Sequence, residues 1–318
     1  MRVLFLGTSE FAVPILEALV ADASTDVLAV VTQPDRPQGR GRHVAESPVK
    51  RAAAAHDLPV LQPPRVRDRA FLDTVGCMRP DALALAAFGQ IIPRALLDLP
   101  RLGPINVHAS LLPAYRGAAP IQHAILNGEA VSGVTTMWMD ATLDTGDILL
   151  ARQVAVSDED TTGTLTERLA SAGASLLLET LRLLADGRCP RTPQDHAFAT
   201  YAPAILPADS VIRWDEPAVR VRDRIRAMAP RPGAITAVHG RRVKLWRAEA
   251  LRDGAGEPGR VRAVTREGVE VEAASGVVIL REAQPENGRR MAATDWARGA
   301  RLAMGDRFDA PGSATGPV

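Results

Sequence analysis

The sequence predicts an α/β protein: a doubly wound, Rossmann-like and mostly parallel sheet over residues 1–189, then a small C-terminal β-barrel of OB-like type over 206–309. Three observations carry that prediction. The chain opens strand–turn–helix–strand, the unit of a doubly wound sheet. Residues 190–205 then turn proline-rich and poor in apolar runs, which is linker chemistry. Beyond them come five short strands punctuated by glycine turns.

The elements follow in order. Arg2 to Leu6 is a buried-type strand, Gly7-Thr8 turns, Ser9 can cap, and Phe11 to Leu19 has apolar helical spacing. Asp26 to Thr32 is a β-branched strand. The Pro-, Gly- and Arg-rich stretch Gln33 to Glu46 is expected to be a loop without structure of its own, and loops that long are more often functional than not. Ser47-Pro48 starts a helix, with serine as cap and proline in the first turn. Asp81 to Ala87 is a candidate central strand, although its alanines also suit a helix, and Pro104 to His108 is a short strand running into a loop. Ala119 to Leu126 is a helix stopped by Asn127-Gly128. Thr135 to Asp140 and Ile148 to Val156 are strands, and Leu165 to Leu184 a long amphipathic helix. After the linker, Ala218 to Met228 is helical. The barrel strands are 234–238, 242–249, 260–265, 269–273 and 277–283, and 310–318 is expected to be a disordered tail.

Composition removes several classes. With 46% hydrophobic and 24% charged residues among 318, the chain is not a disordered one. It has no apolar run of 18, so no membrane span is expected, and Glu10 interrupts the N-terminus too soon for a signal peptide. Two cysteines, Cys77 and Cys189, make no disulfide framework, and the cytoplasm is the expected compartment. The net charge of +1 hides an asymmetry: residues 1–205 hold 18 basic and 22 acidic groups, whereas 206–310 hold 20 and 15. The basic half hints at a polyanionic partner, although a few unit charges are also what a solvated face carries.

The chemistry narrows in the same way. The first turn, Gly7-Thr8-Ser9-Glu10-Phe11, lacks the GxGxxG of dinucleotide binding, and Glu10 opposes a pyrophosphate at that helix start. Six scattered histidines without HxH or HxxxH spacing argue against zinc, and no GxSxG supports a serine nucleophile. Asn106, His108 and Ser110 alternate where a strand enters a loop, so Asn106 and His108 share a face. An amide can hold an oxyanion and an imidazole can move a proton. Spacing alone leaves open that Asn106 satisfies a turn and His108 lies in the core. Asp140, Asp144 and Asp147 crowd one loop, and spacing does not say which of them meets His108. Gly39-Arg40-Gly41-Arg42 could grip phosphate or be an ordinary solvated loop.

Residues 104–128, Pro-Ile-Asn-Val-His-Ala-Ser-Leu-Leu-Pro-Ala-Tyr-Arg-Gly-Ala-Ala-Pro-Ile-Gln-His-Ala-Ile-Leu-Asn-Gly, resemble the signature of folate-dependent formyltransferases, together with Leu143-Asp144-Thr145-Gly146-Asp147. Within them, Thr32 to Pro37 followed by Gly39-Arg40-Gly41, Arg116 to Gln122, Thr200-Tyr201-Ala202-Pro203 and Ile212-Arg213-Trp214 are similar to the branch that formylates methionyl-tRNA. The similarity spans residues 2–308. It implies transfer of the formyl group of 10-formyltetrahydrofolate to the methionine amine of initiator tRNA, by a monomer, without metal or covalent enzyme intermediate. Asn106 would donate to the oxyanion, His108 would assist proton transfer, and Asp144 would orient His108. Ser110, Leu111, Leu112 and Pro113 would line the folate site, and Phe88, Gly89 and Gln90 would close the pterin pocket. Arg40 and Arg42 would meet the tRNA acceptor end, and the barrel would hold tRNA through phosphates. The chain departs from the pattern at Ala204 and His43, where the family more often has lysine. Two alternatives share the same catalytic residues: formylation of a nucleotide-linked amino sugar, and hydrolysis of the formyl-folate. A silent tRNA-binding module is a third.

Overall fold

The computed structural model describes residues 1–38, 43–251, 254 and 256–310. Arg40, Arg42 and the tail 311–318 lie outside the described residues. The chain divides into two compact units, one of residues 1–120, 131–155 and 166–202, the other of 121–130, 156–165 and 203–318.

The elements in chain order begin with β1 (Arg2–Gly7), α1 (Val13–Ala21), β2 (Asp26–Val31), β3 (Arg36–Gln38), β4 (His43–Ala45), α2 (Pro48–Ala55), β5 (Val60–Leu61), α3 (Arg69–Met78), β6 (Ala82–Ala86), α4 (Arg94–Leu97) and β7 (Pro104–His108). They continue with α5 (Pro120–Leu126), β8 (Val131–Trp138), β9 (Ile148–Ala155), α6 (Thr162–Ala185), α7 (Ala218–Ala227), β10 (Ala234–Val238), β11 (Arg241–Leu251), β12 (Val261–Val264), β13 (Val269–Glu272), β14 (Val277–Pro285), β15 (Met291–Ala292), α8 (Ala293–Ala300) and β16 (Phe308–Asp309).

The first unit is built on one sheet of order β5-β2-β1-β6-β7-β8-β9. Its pairs are parallel from β5 through β7 and antiparallel between β7, β8 and β9. Alternation along β1 sends Leu4 and Leu6 to one face, where they pack with Val31, Leu83, Leu85 and the α3 residues Phe71 and Val75. Val3 and Phe5, equally buried, point to the other face. The expected doubly wound sheet is therefore present. The chain turns from β1 to β2 on one side and to β6 on the other, and a crevice outside the carboxyl ends of such strands is where ligands bind.

Several local expectations are revised. Ser9 caps nothing with its side chain, because a 3-10 turn at Glu10–Ala12 precedes α1. Ser47 does cap α2, accepting from Lys50 N. The stretch 33–46 is not without structure: β3 and β4 pair antiparallel within it. Residues 192–202, read as part of a linker, are held to the first unit through Thr192, which exchanges backbone bonds of 2.9 and 2.8 Å with Ile148, and through Tyr201, which bridges to Arg116.

The second unit carries an antiparallel sheet of order β12-β13-β14-β11-β10-β16, with β15 beside β14. It curls until its two edges meet. Val261 N–H donates to Asp306 O at 2.7 Å and Phe308 N–H to Gly259 O at 2.8 Å. Closure of this kind removes exposed strand edges and makes the predicted OB-like barrel. Inside, Trp214 and Trp296 flank Phe308 at ring distances of 5.3 and 6.0 Å.

Candidate active site

The parallel strand β7 delivers Asn106 and His108 to its carboxyl end, both buried, at 7% and 6% exposure. The loop after β8 brings Asp144 to them. Asp144 Oδ1 accepts from Asn106 Nδ2 at a long 3.5 Å, and Oδ2 lies 3.7 Å from His108 Nδ1. Oδ2 also accepts from the Gly117 amide at 2.9 Å. On the other side of the ring, His108 Nε2 donates to Tyr115 O at 2.9 Å. Both neighbours of the imidazole are therefore acceptors, an arrangement that can receive a proton arriving at the ring. Asn106 keeps one N–H free of Asp144, aimed by a rigid strand, which suits it to a developing negative oxygen.

Of the three aspartates, the structure brings Asp144 beside His108. Asp140 is committed to its own turn, accepting from Thr142 and Thr145. Asp147 pairs with Arg191 at 3.0 Å. Asp144 alone enters the site, and it does so with φ at +51°, a backbone conformation unfavourable for a non-glycine residue. Gly146, two residues on, has no room for a side chain: a Cβ there would lie 1.7 Å from Trp138 O.

What holds Asp144 in that conformation is a group no sequence argument indicated. Gln194 Nε2 donates to the carbonyl oxygens of Asp144 and Gly146 at 2.9 and 2.7 Å. Its Oε1 accepts twice from the Arg116 guanidinium, at 3.1 and 2.6 Å, and Arg116 is only 1% exposed. Gln194 is 50 residues from Asp144 in sequence and lies in no motif.

The other expected site residues fall in two groups. Ser110 to Pro113 line the same strand end, but their polar groups are turned inward. Ser110 Oγ donates to Ala114 O at 2.6 Å, Ser110 O accepts from Thr135 Oγ1 at 2.7 Å, and Leu112 N donates to the same Thr135 oxygen at 3.1 Å. Leu112 is buried, while Leu111 and Pro113 are half-buried. At the end of β6, Phe88 has its ring in the core, and its carbonyl accepts from Thr8 and Gln33. Gln90 is held by Val66 N and Pro63 O, whereas Gly89 is exposed with φ at +84° and Ile91 is 89% exposed.

The chain has relatives among known proteins. The formyl transferase family matches residues 1–181, and the formyl transferase C-terminal domain matches 204–301. A methionyl-tRNA formyltransferase of Syntrophus aciditrophicus is 46% identical over 306 residues, covering 96% of this chain and 98% of that protein. The chain belongs to the methionyl-tRNA formyltransferase family. A second member, from Moorella thermoacetica, is 47% identical over 307 residues, 96% of this chain and 98% of that one. Among solved structures, an N-formyltransferase of Helicobacter canadensis in complex with folinic acid and dTDP-3-aminofucose shares the fold. Its TM-score is 0.64 at 16% identity, over 88% of this chain and 99% of that one. Among the described residues of this family member, no group of three or more His, Cys, Asp or Glu could hold a metal ion, and no helix is long and apolar enough to cross a membrane.

Proposed function

We propose that the protein transfers the formyl group of 10-formyltetrahydrofolate to the α-amine of methionyl initiator tRNA, and that Asn106, His108 and Asp144 do the chemistry. The observation that carries this is their convergence at the carboxyl end of β7, with Asp144 oriented by the Gly117 amide. The formyl-folate is a substrate that supplies an activated acyl carbon. The strand end suits it: Gly89 leaves backbone exposed, and Ile91 offers apolar surface for a flat ring system.

Attack of the amine on the formyl carbon gives a tetrahedral intermediate. Asn106 Nδ2 donates to its oxyanion, a role worth roughly 10²–10³ in rate in comparable sites. His108 takes the proton released by the attacking amine and returns it to the departing folate nitrogen. Asp144 keeps the imidazole aligned and opposes the positive charge that passes through it. Ser110 to Pro113 shape the folate wall through backbone and apolar surface. Residues 1–189 thus carry the reaction, and 206–309 hold the tRNA through phosphates. Arg40 and Arg42 meet its acceptor end. The enzyme acts as a monomer in the cytoplasm.

The test is a formyl-transfer assay with 10-formyltetrahydrofolate and three acceptors: methionylated initiator tRNA, methionylated elongator tRNA and a nucleotide-linked amino sugar. Product with the initiator tRNA alone supports the proposal. Product with the sugar, or formate released without acceptor, overturns the acceptor and the role given to the barrel.

A further inference from the structure

The chain has six phenylalanines, four tryptophans and two tyrosines, and ten of these twelve rings are buried or half-buried. The two exceptions are Phe198, 72% exposed, and Tyr201, 67% exposed. They stand three residues apart on one segment. That segment is fastened to the loop that closes over the catalytic imidazole. Tyr115 N donates to Thr200 Oγ1 at 2.8 Å, Arg116 N to Thr200 O at 2.8 Å, and Ala202 N to Arg116 O at 2.7 Å. Tyr115 is the residue whose carbonyl accepts from His108 Nε2. Upstream, Asp195 caps the turn at His196–Phe198 through Ala197 N, and Gln194 is buried against Asp144. The backbone bearing the two rings is therefore fixed relative to the reacting atoms, while the rings themselves are left in water. Two large rings exposed on a rigid segment beside a catalytic loop are unusual for a surface with no partner.

We propose that Phe198 and Tyr201 are a stacking platform for the unpaired bases at the 3′ end of the charged tRNA. This rests on the proposed acceptor and extends it to a second binding element. The reacting amine is joined through a short ester to the last nucleotide of a single strand. The bases beside that ester must pass close to whatever surrounds His108. Thr200 is two hydrogen bonds and one residue, Tyr115, from the imidazole, so a ring on its neighbour is within reach of the terminal nucleotides. Aromatic rings bind unpaired bases face to face without reading their identity, which suits an end that is the same in every tRNA. The platform would fix the approach of the ester, while discrimination between tRNAs is left to other surfaces.

The experiment is steady-state formylation of methionylated initiator tRNA by Phe198→Ala, Tyr201→Ala and the double variant, with Phe198→Trp and Tyr201→Phe as ring-preserving controls. Both side chains are exposed, so the alanine variants should fold. Expected is a rise in KM for the charged tRNA of about 5-fold or more per ring, from the known strength of base stacking. KM for the formyl-folate and kcat should stay within about twofold, and the ring-preserving variants should behave as the parent. The slope of log KM against log salt should not change, because no phosphate contact is lost. An unchanged KM in the double variant overturns the proposal, as does an equal loss with Tyr201→Phe, which would assign the effect to the hydroxyl. A parent enzyme that does not formylate charged tRNA at all would instead overturn the proposed acceptor.

Discussion

Gln194 and Asp144 are joined by a hydrogen bond of 2.9 Å, from the amide of one to the backbone carbonyl of the other. The same amide donates to Gly146 O, so one side chain holds the loop on both sides of Thr145. Gln194→Ala should let Asp144 relax from its positive φ and lose its place beside His108. A displacement on the order of 1 Å at such a group costs about 10- to 100-fold in kcat. The variant should also be less stable by about 1–3 kcal/mol, because Arg116 would keep only His196 of the side-chain partners described for it. Gln194→Glu keeps the Arg116 contact but turns the donor into an acceptor. Its second oxygen would face the Asp144 and Gly146 carbonyls, so it should lose activity at least as much as the alanine variant and be less stable than the parent. Rate assays and thermal unfolding on both variants decide it, and parental kcat in Gln194→Glu would remove Gln194 from the site.

How much of this was legible depended on whether the physics was local. β7 was expected at 104–108 and is found there, because a buried strand announces itself by apolar alternation around Asn106 and His108. Asp144 could be separated from Asp140 and Asp147 only by resemblance, since what distinguishes them is Arg191 and Thr142 at the other two carboxylates. Gln194 and Arg116 were invisible as a pair, because nothing in their surroundings marks a contact across 78 residues. α3 has Phe71, Leu72, Val75 and Met78 at helical spacing, but the arginines around them mask that period in the sequence. Along α7 the arginines recur at every second position, which spreads them around the helix. Arg220 donates to Leu126 O, Arg224 pairs with Glu216, and Arg222 and Arg226 share Asp223, with Arg226 also donating to Ser157 O.

Gly259 closes the barrel, and its backbone has φ at +86°. A Cβ there would lie 2.4 Å from Phe308 O, the carbonyl of a core residue that cannot move aside cheaply. Gly259→Ala should therefore open the seam between the sheet edges and destabilise the second unit by about 2–4 kcal/mol. The measurable signs are a lower Tm and faster amide exchange at Val261 and Phe308, whose N–H groups make the seam. Unchanged exchange at both amides would mean that the seam does not depend on this glycine.

Asp22 makes stability depend on acid. The Ser24 hydroxyl and amide, and then Arg182, hold its carboxyl down at about 2, below the ordinary value of 3.8. A depressed carboxylate stabilises the fold fully above its unfolded value, and that contribution is lost as pH falls through the folded one. Asp22→Asn should therefore be less stable than the parent at pH 7, with the difference shrinking as pH drops from about 4 to about 2. Chemical denaturation across that range tests it. A gap that is constant with pH would assign the effect to geometry alone.

The barrel's contact with tRNA should run through arginines that the fold leaves unused. Those of α7 are engaged within the second unit. By contrast, Arg231, Arg241 and Arg242 are exposed and have no carboxylate partner among the described residues. Arg241 and Arg242 open β11 directly after the turn from β10, and Arg231 lies just before β10. Each phosphate contact adds roughly 0.7–0.9 to the slope of log affinity against log salt. Replacing Arg241 and Arg242 with alanine should raise KM for charged tRNA at low salt and flatten that slope by about one to two. Neither KM for the formyl-folate nor Tm should move, since neither side chain supports the fold. A parental slope would place the phosphate contacts on another face of the barrel. A flattened slope with an unchanged platform effect at Phe198 and Tyr201 would mean that the two binding elements act independently, one through charge and the other through stacking.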